Sequence, residues 1–127
     1  MKKEIIYTQN APEPFGPYSQ AVKAGETLYC SGQIPVDPAS GTVPEGIKAQ
    51  TRQVLLNLTE VLKAAHCDIE SVVKTTVYLK DMNDFPAMNA VYADVFGEET
   101  APGRSTIQVA KLPKDVLVKI DAVAVVD

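Results

Sequence analysis

Few side chains in these 127 residues have chemistry to offer, and they are scattered. Arg104 follows the turn signal Ala101-Pro102-Gly103 and opens a run in which Thr106 and Gln108 share its parity. A strand over 104–109 sends those three side chains to one face. If Ile107 and Val109 pack under helices, Arg104 faces the other side of the sheet. A guanidinium there is a planar fork that can take a carboxylate through two parallel hydrogen bonds, or can serve a structural ion pair with an Asp or Glu. Tyr18, Ser31 and Gly32 end segments of a predicted hairpin region, where a phenol, a hydroxyl and a bare backbone can converge on a ligand. Their plainer duties are packing for Tyr18, strand termination for Ser31 and a turn of positive φ for Gly32.

His66 closes a long helical pattern, where an imidazole can bond the last carbonyls. As the one histidine, it lacks a partner for acid–base or ligand work and reads as structural. Cys30 has parity opposite to Ser31, and Cys67 follows His66; both read as small buried apolar side chains. They lie far apart with no C-x-x-C, which predicts thiols in a reducing compartment and no disulfide. One histidine and two distant cysteines make no zinc set, so no metal is expected.

The elements that must position these groups follow from periodicity. Strands are expected over 3–8, 20–24, 27–32, 71–79, 104–109 and 116–126, with Gly25-Glu26 as a tight hairpin between the second and third. Three prolines break 10–17, and Pro35 to Gly46 reads as a loop. Over 47–66, Ile47, Val54, Leu55, Leu58, Val61, Leu62 and Ala65 recur at helical spacing. A second helix over 85–96 carries Phe85, Met88, Val91, Tyr92, Val95 and Phe96 as its stripe, with Asp84 able to cap its start and Gly97 to end it. Val73, Val77 and Leu79 are expected on one side of the fourth strand, and Leu112-Pro113-Lys114-Asp115 is expected to turn the fifth into the sixth. Strands hairpinned at both ends with two helices between predict an α+β layer, a mixed sheet with both helices on one face.

In the last strand Val116, Val118, Ile120, Ala122, Ala124 and Val126 share one face, expected under the helices. Leu117, Lys119, Asp121, Val123 and Val125 share the other, too apolar to leave wet and too polar for an ordinary core. That face predicts association with copies of the same chain in a closed ring, with a site at the seams.

Composition excludes several classes. With 46% hydrophobic and 22% charged residues and unremarkable Gly and Pro, the chain is neither disordered nor fibrous, and its length suits one domain over 1–127. A net charge of −4 with scattered cations argues against a phosphate-backbone partner, so nucleic acid is not expected. No apolar run approaches the roughly 18 residues of a membrane span, and Met1 to Thr8 lacks a signal-peptide core, which predicts a cytoplasmic protein.

Gly16-Pro17-Tyr18-Ser19-Gln20-Ala21, Ser31-Gly32-Gln33-Ile34-Pro35, Gln50-Thr51-Arg52-Gln53 with Asn57, Val73-Lys74-Thr75-Thr76-Val77, Met88-Asn89-Ala90-Val91-Tyr92, and Pro102-Gly103-Arg104-Ser105 followed by Leu112-Pro113 together resemble the RidA (YjgF) family nearly end to end. The resemblance implies a chorismate-mutase-like fold of six strands and two helices, assembled as a homotrimer with sites at the subunit interfaces. It implies hydrolysis of reactive enamine and imine acids (2-aminoacrylate with its tautomer 2-iminopropanoate, and 2-iminobutanoate) to 2-keto acids and ammonia, without a cofactor. Such substrates are released by pyridoxal-phosphate enzymes such as threonine dehydratase. Arg104 would grip the carboxylate, and Tyr18, Ser31, Gly32, Asn89 and Thr106 would line the site, Thr106 standing where many relatives carry Cys. Active relatives hold the attacking water with a Glu on the last strand; the aligned residue here is Lys119. An ammonium has no lone pair to accept a proton. Asp121 is the carboxylate that shares its face. A metabolite-binding protein without turnover is the competing reading. Nuclease behaviour, reported in the family, is disfavoured by the acidic balance and the absence of a histidine pair.

Overall fold

A computed structural model of the chain describes residues 2–127. Six strands form one mixed sheet: β1 (Lys3–Ile6), β2 (Ala21–Ala24), β3 (Thr27–Gln33), β4 (Val72–Leu79), β5 (Gly103–Gln108) and β6 (Val118–Val125). Helices α1 (Ile47–Ala64) and α2 (Phe85–Phe96) both cover one face, giving the expected α+β architecture. The sheet order is β1-β2-β3-β6-β4-β5, antiparallel except for the parallel pair β4/β5.

That order corrects the second hairpin. β6 does not pair with β5; it crosses to lie between β3 and β4. Its composition explains the place. A strand apolar on one face and half apolar on the other suits the sheet's centre, whereas the polar Arg-Ser-Thr-Ile-Gln run of β5 suits an edge.

The core lies between helices and sheet. Val116, expected under the helices, is buried instead in a separate cluster with Ile34 and Leu112, whereas Val118, Ile120, Ala122 and Ala124, with Val126 just beyond the end of β6, are buried there as predicted. They meet Leu55, Leu58, Leu62, Met88 and Val91 from the helices. Val73 departs from its predicted face. The β4/β6 register slips between Val72 and Lys74, so Val72, Thr75, Val77 and Leu79 point inward while Val73 is exposed.

Helix ends show local rules at work. α1 stops two residues before the expected limit in a Schellman turn: Cys67 N–H bonds Leu62 O and His66 N–H bonds Lys63 O, each at 3.0 Å. His66 occupies its left-handed position at φ 61°. Asp84 makes no capping hydrogen bond, because a 3₁₀ turn begins earlier and Asp81 caps that turn through Asn83 N–H at 2.9 Å. Gly97 ends α2 at φ 75°, as predicted.

Candidate functional site

Arg104 stands on the helix side of edge strand β5. Its register partner Thr75 is buried under α2, whereas Ile107 is 43% exposed on the opposite face. The expected parity is therefore reversed, and the reason lies on α2. Phe85, Asn89 and Tyr92 sit at positions i, i+4 and i+7, one stripe facing the sheet edge. The guanidinium carbon lies 4.7 Å from the Tyr92 ring centroid and 5.3 Å from that of Phe85. Asn89 Oδ1 accepts from Nη1 at 2.7 Å. Rings and an amide dipole thus hold the cation without neutralising it. Among the described residues no carboxylate lies within ion-pair distance of Arg104. The structural ion pair left open by the sequence is not made within this chain.

A cleft of about 360 Å³ adjoins it, lined by Asn89, Tyr92, Ala93, Gly97, Pro102 and Arg104, among others. Tyr92 is itself fixed, its hydroxyl 2.7 Å from the buried Thr75 hydroxyl. Burial raises the Tyr92 phenol above its ordinary value, opposed by that hydrogen bond and by the Arg104 charge. Thr106 shares the Arg104 face, two residues on.

The remaining candidates meet elsewhere. Tyr18, Ser31, Gly32 and Lys119 line a second cavity of about 340 Å³ with Pro12, Phe15, Gln33 and Ile34. β3 builds its floor. Between Cys30 and Gln33 the β3/β6 register slips by one residue, a bulge that turns Ser31 and Gly32 toward the cavity. Gly32 lacks positive φ, so that reading of it fails. Its bare backbone instead gives room to the lysine: a Cβ there would fall 2.2 Å from Lys119 Cε and displace that side chain. Ser31 donates its hydroxyl to Ser19 O at 2.6 Å. Tyr18 is exposed and packs edge-on to Phe15, centroids 5.8 Å apart.

Lys119 and Asp121 share the sheet face away from the helices, as predicted. Lys119 Nζ lies 5.4 Å from the Tyr78 ring centroid. Asp121 Oδ2 accepts the Tyr78 hydroxyl at 2.8 Å. Arg104 and Asn89 are thus on one side of the sheet and Tyr18, Ser31, Gly32 and Lys119 on the other. Neither of the two cavities is lined by residues of both groups.

Positioning residues that sequence reasoning passed over are buried amides. Gln20 donates to Thr8 O and Pro12 O, each at 2.9 Å, and accepts Thr8 N–H at 2.7 Å, pinning the segment that carries Phe15 and Tyr18. Asn57 donates to Ile34 O and Val36 O. Gln50 bridges Pro44 O and Leu117 N–H. Gln50 and Asn57, seven apart on the buried face of α1, were the signal available.

The lone histidine is exposed and lines neither cavity, and among the described residues no cluster of three metal-ligating side chains occurs. Cys30 is buried, its thiol pushed up to about 12 chiefly by burial. Cys67 is only half-buried, its Sγ donating to Leu62 O at 3.4 Å. Among the described residues no helix is long and apolar enough to cross a membrane.

The sequence model of a family described as Endoribonuclease L-PSP matches residues 8–126. A RutC family protein of Pyrococcus horikoshii is 57% identical over 123 residues, covering 96% of this chain and 97% of that protein. The 2-iminobutanoate/2-iminopropanoate deaminase of Salmonella typhimurium is 49% identical over 124 residues, covering 96% and 97%. The crystal structure of the Escherichia coli YjgF gene product matches with TM-score 0.91 at 48% identity, covering 96% of this chain and 98% of that one. That of E. coli TdcF with bound serine matches with TM-score 0.93 at 44% identity, covering 98% and 99%.

Proposed function

Because this chain belongs to the YjgF/RidA family, we propose that it hydrolyses 2-imino acids and their enamine tautomers, such as 2-iminopropanoate and 2-iminobutanoate, to 2-oxo acids and ammonia in the cytoplasm. The observation that carries this reading is the state of Arg104. It is stacked and oriented by neutral neighbours, unpaired by any carboxylate among the described residues, and open to a cleft. Such a group grips a substrate carboxylate bidentately and fixes the imine carbon relative to its surroundings. Water adds to that carbon, a proton passes to nitrogen, and the C–N bond breaks as ammonia leaves and the carbonyl forms. A protonated imine is electrophilic enough that orientation and electrostatic support supply most of what the protein must add.

The site is shared between copies. Arg104 and the Tyr18–Lys119 cavity lie on opposite faces of one sheet, so one small acid reaches both only where the helix-side edge of one chain meets the outer face of another. A homotrimer with three seams satisfies this, and the apolar outer face, with Tyr29 53% and Val125 42% exposed, supplies the adhesive surface.

One observation favours a second reading, a non-catalytic carboxylate binder: Lys119 stands where the family pattern has Glu, and the neighbouring Asp121 already accepts from Tyr78. Generating 2-iminobutanoate in situ with a dehydratase and following 2-oxobutyrate separates the two. Acceleration over the spontaneous rate supports the hydrolase. No acceleration, together with calorimetric binding of 2-oxobutyrate, supports the binder. Lys119→Glu is expected to raise turnover of 2-iminobutanoate, because a carboxylate beside the imine carbon can orient and deprotonate water; an equal or lower rate overturns that role for position 119. For phosphodiester cleavage the chain offers one histidine, exposed and outside both cavities.

A further inference from the structure

The Lys119 cavity is furnished for more than a bystander's role. The lysine stem passes over the bare backbone of Gly32, where an added Cβ would fall 2.2 Å from Cε, and Lys119 lines the cavity with its Nζ 5.4 Å from the Tyr78 ring centroid. No carboxylate among the described residues lies within ion-pair distance of it. Asp121, on the same face, is held by Tyr78. Gln33 lines the same cavity, is only 5% exposed, and makes no side-chain hydrogen bond among the described residues. The comparison is internal: the buried amides Gln20, Gln50 and Asn57 each use both ends. A half-buried cation that meets an aromatic face and no carboxylate among the described residues, on a cavity shared with an open amide and walled by Pro12, Phe15, Ile34 and Pro113, suits an acidic group carried on a short apolar stem.

We propose that Lys119 and Gln33 bind a second acidic group of the substrate, so that this chain prefers 2-imino dicarboxylates to 2-imino monocarboxylates. The inference rests on the reading above, in which Arg104 of a neighbouring copy holds the other carboxylate. A monocarboxylate leaves one of two cations uncompensated once water is expelled, whereas a dicarboxylate compensates both. A cavity of about 340 Å³ also leaves room beyond a three- or four-carbon acid.

Stable 2-oxo acids test the grip without relying on turnover. Calorimetry on the full chain compares 2-oxoglutarate with 2-oxohexanoate, which has similar length and one charge fewer. The expected result is affinity for 2-oxoglutarate greater by about tenfold or more, the size of one charge-assisted hydrogen bond. That ratio should fall toward one in Lys119→Met, which keeps the stem over Gly32, and below one in Lys119→Glu. In the unmodified protein it should shrink as salt rises, which needs no variant to fold. Equal affinities, or a ratio unmoved by Lys119→Met and by salt, overturn the inference. If 2-oxohexanoate binds in an Arg104-dependent manner and 2-iminobutanoate is hydrolysed, the broader reading survives that failure. If neither oxo acid binds and no imine is hydrolysed, both fall.

Discussion

Arg104 and His66 show how differently a polar residue is justified at the scale of one side chain. Arg104 sits on aromatic faces with one amide partner, so its charge is oriented and left available. Arg104→Lys keeps the charge and loses both fork and stacking. Steady-state assay of 2-iminobutanoate hydrolysis is expected to show kcat/KM down by about 10- to 100-fold, the loss of roughly one strong charge-assisted hydrogen bond. Thermal melting should fall by only a few degrees, because the stacking on Tyr92 and Phe85 and the Asn89 hydrogen bond that join β5 to α2 are worth about 1 kcal/mol each and the lysine stem keeps part of the contact. A variant with undiminished kcat/KM removes Arg104 from the site. His66 acts only through its backbone. A residue with a Cβ held at φ 61° is strained, so His66→Gly is expected to stabilise by about 0.5–1 kcal/mol, measured as a rise in Tm of a few degrees. The sequence already marked both: a lone helix-end histidine as structural, and an arginine after Pro-Gly as a candidate clamp. What it concealed was the face Arg104 takes, since aromatic residues on α2 drew it to the helix side at an edge strand where Ile107 could turn outward.

Elements are set by periodicity, but their neighbours are not. The apolar repeats of α1, α2 and β6 mapped onto buried faces nearly residue for residue, because burial of one stripe dominates their energetics. Strand order was less legible: alternation tells which face a residue takes and says nothing of which strand lies alongside, so β6 was assigned beside β5 instead of between β3 and β4. Two bulges escaped for a related reason. Each inserts one residue and inverts parity, exposing Val73 and turning Ser31 and Gly32 toward the cavity. The loop between β3 and α1 read only as proline-rich, yet it is anchored to the helix by Asn57, whose amide holds Ile34 O at 3.1 Å and Val36 O at 2.9 Å. Asn57→Ala leaves those carbonyls without their partner and is expected to cost about 1–3 kcal/mol in denaturant unfolding. Hydrogen exchange should accelerate over 34–46 before the rest of the molecule. Uniform acceleration would mean that the anchor stabilises the core and not the loop.

On the scale of the whole molecule, the sheet is a partition. Arg104 and Asn89 work from one side, Tyr18, Ser31, Gly32 and Lys119 from the other, and an acid of three or four carbons cannot touch both through it. If one site needs both halves, two inactive variants with damage on opposite sides must repair each other when mixed. Arg104→Met spoils the helix-side half and Tyr18→Ala the outer half. Each pure variant then has every seam defective, whereas random assembly after unfolding and refolding an equal mixture leaves roughly a quarter of seams with both halves intact. Activity of the refolded mixture toward 2-iminobutanoate should rise to about that fraction of the unmodified protein. Variants refolded separately and then combined should not recover, which excludes simple addition of residual rates. Recovery absent from the co-refolded sample, with light scattering giving the mass of one chain, would confine the chemistry to a single face and remove the shared site.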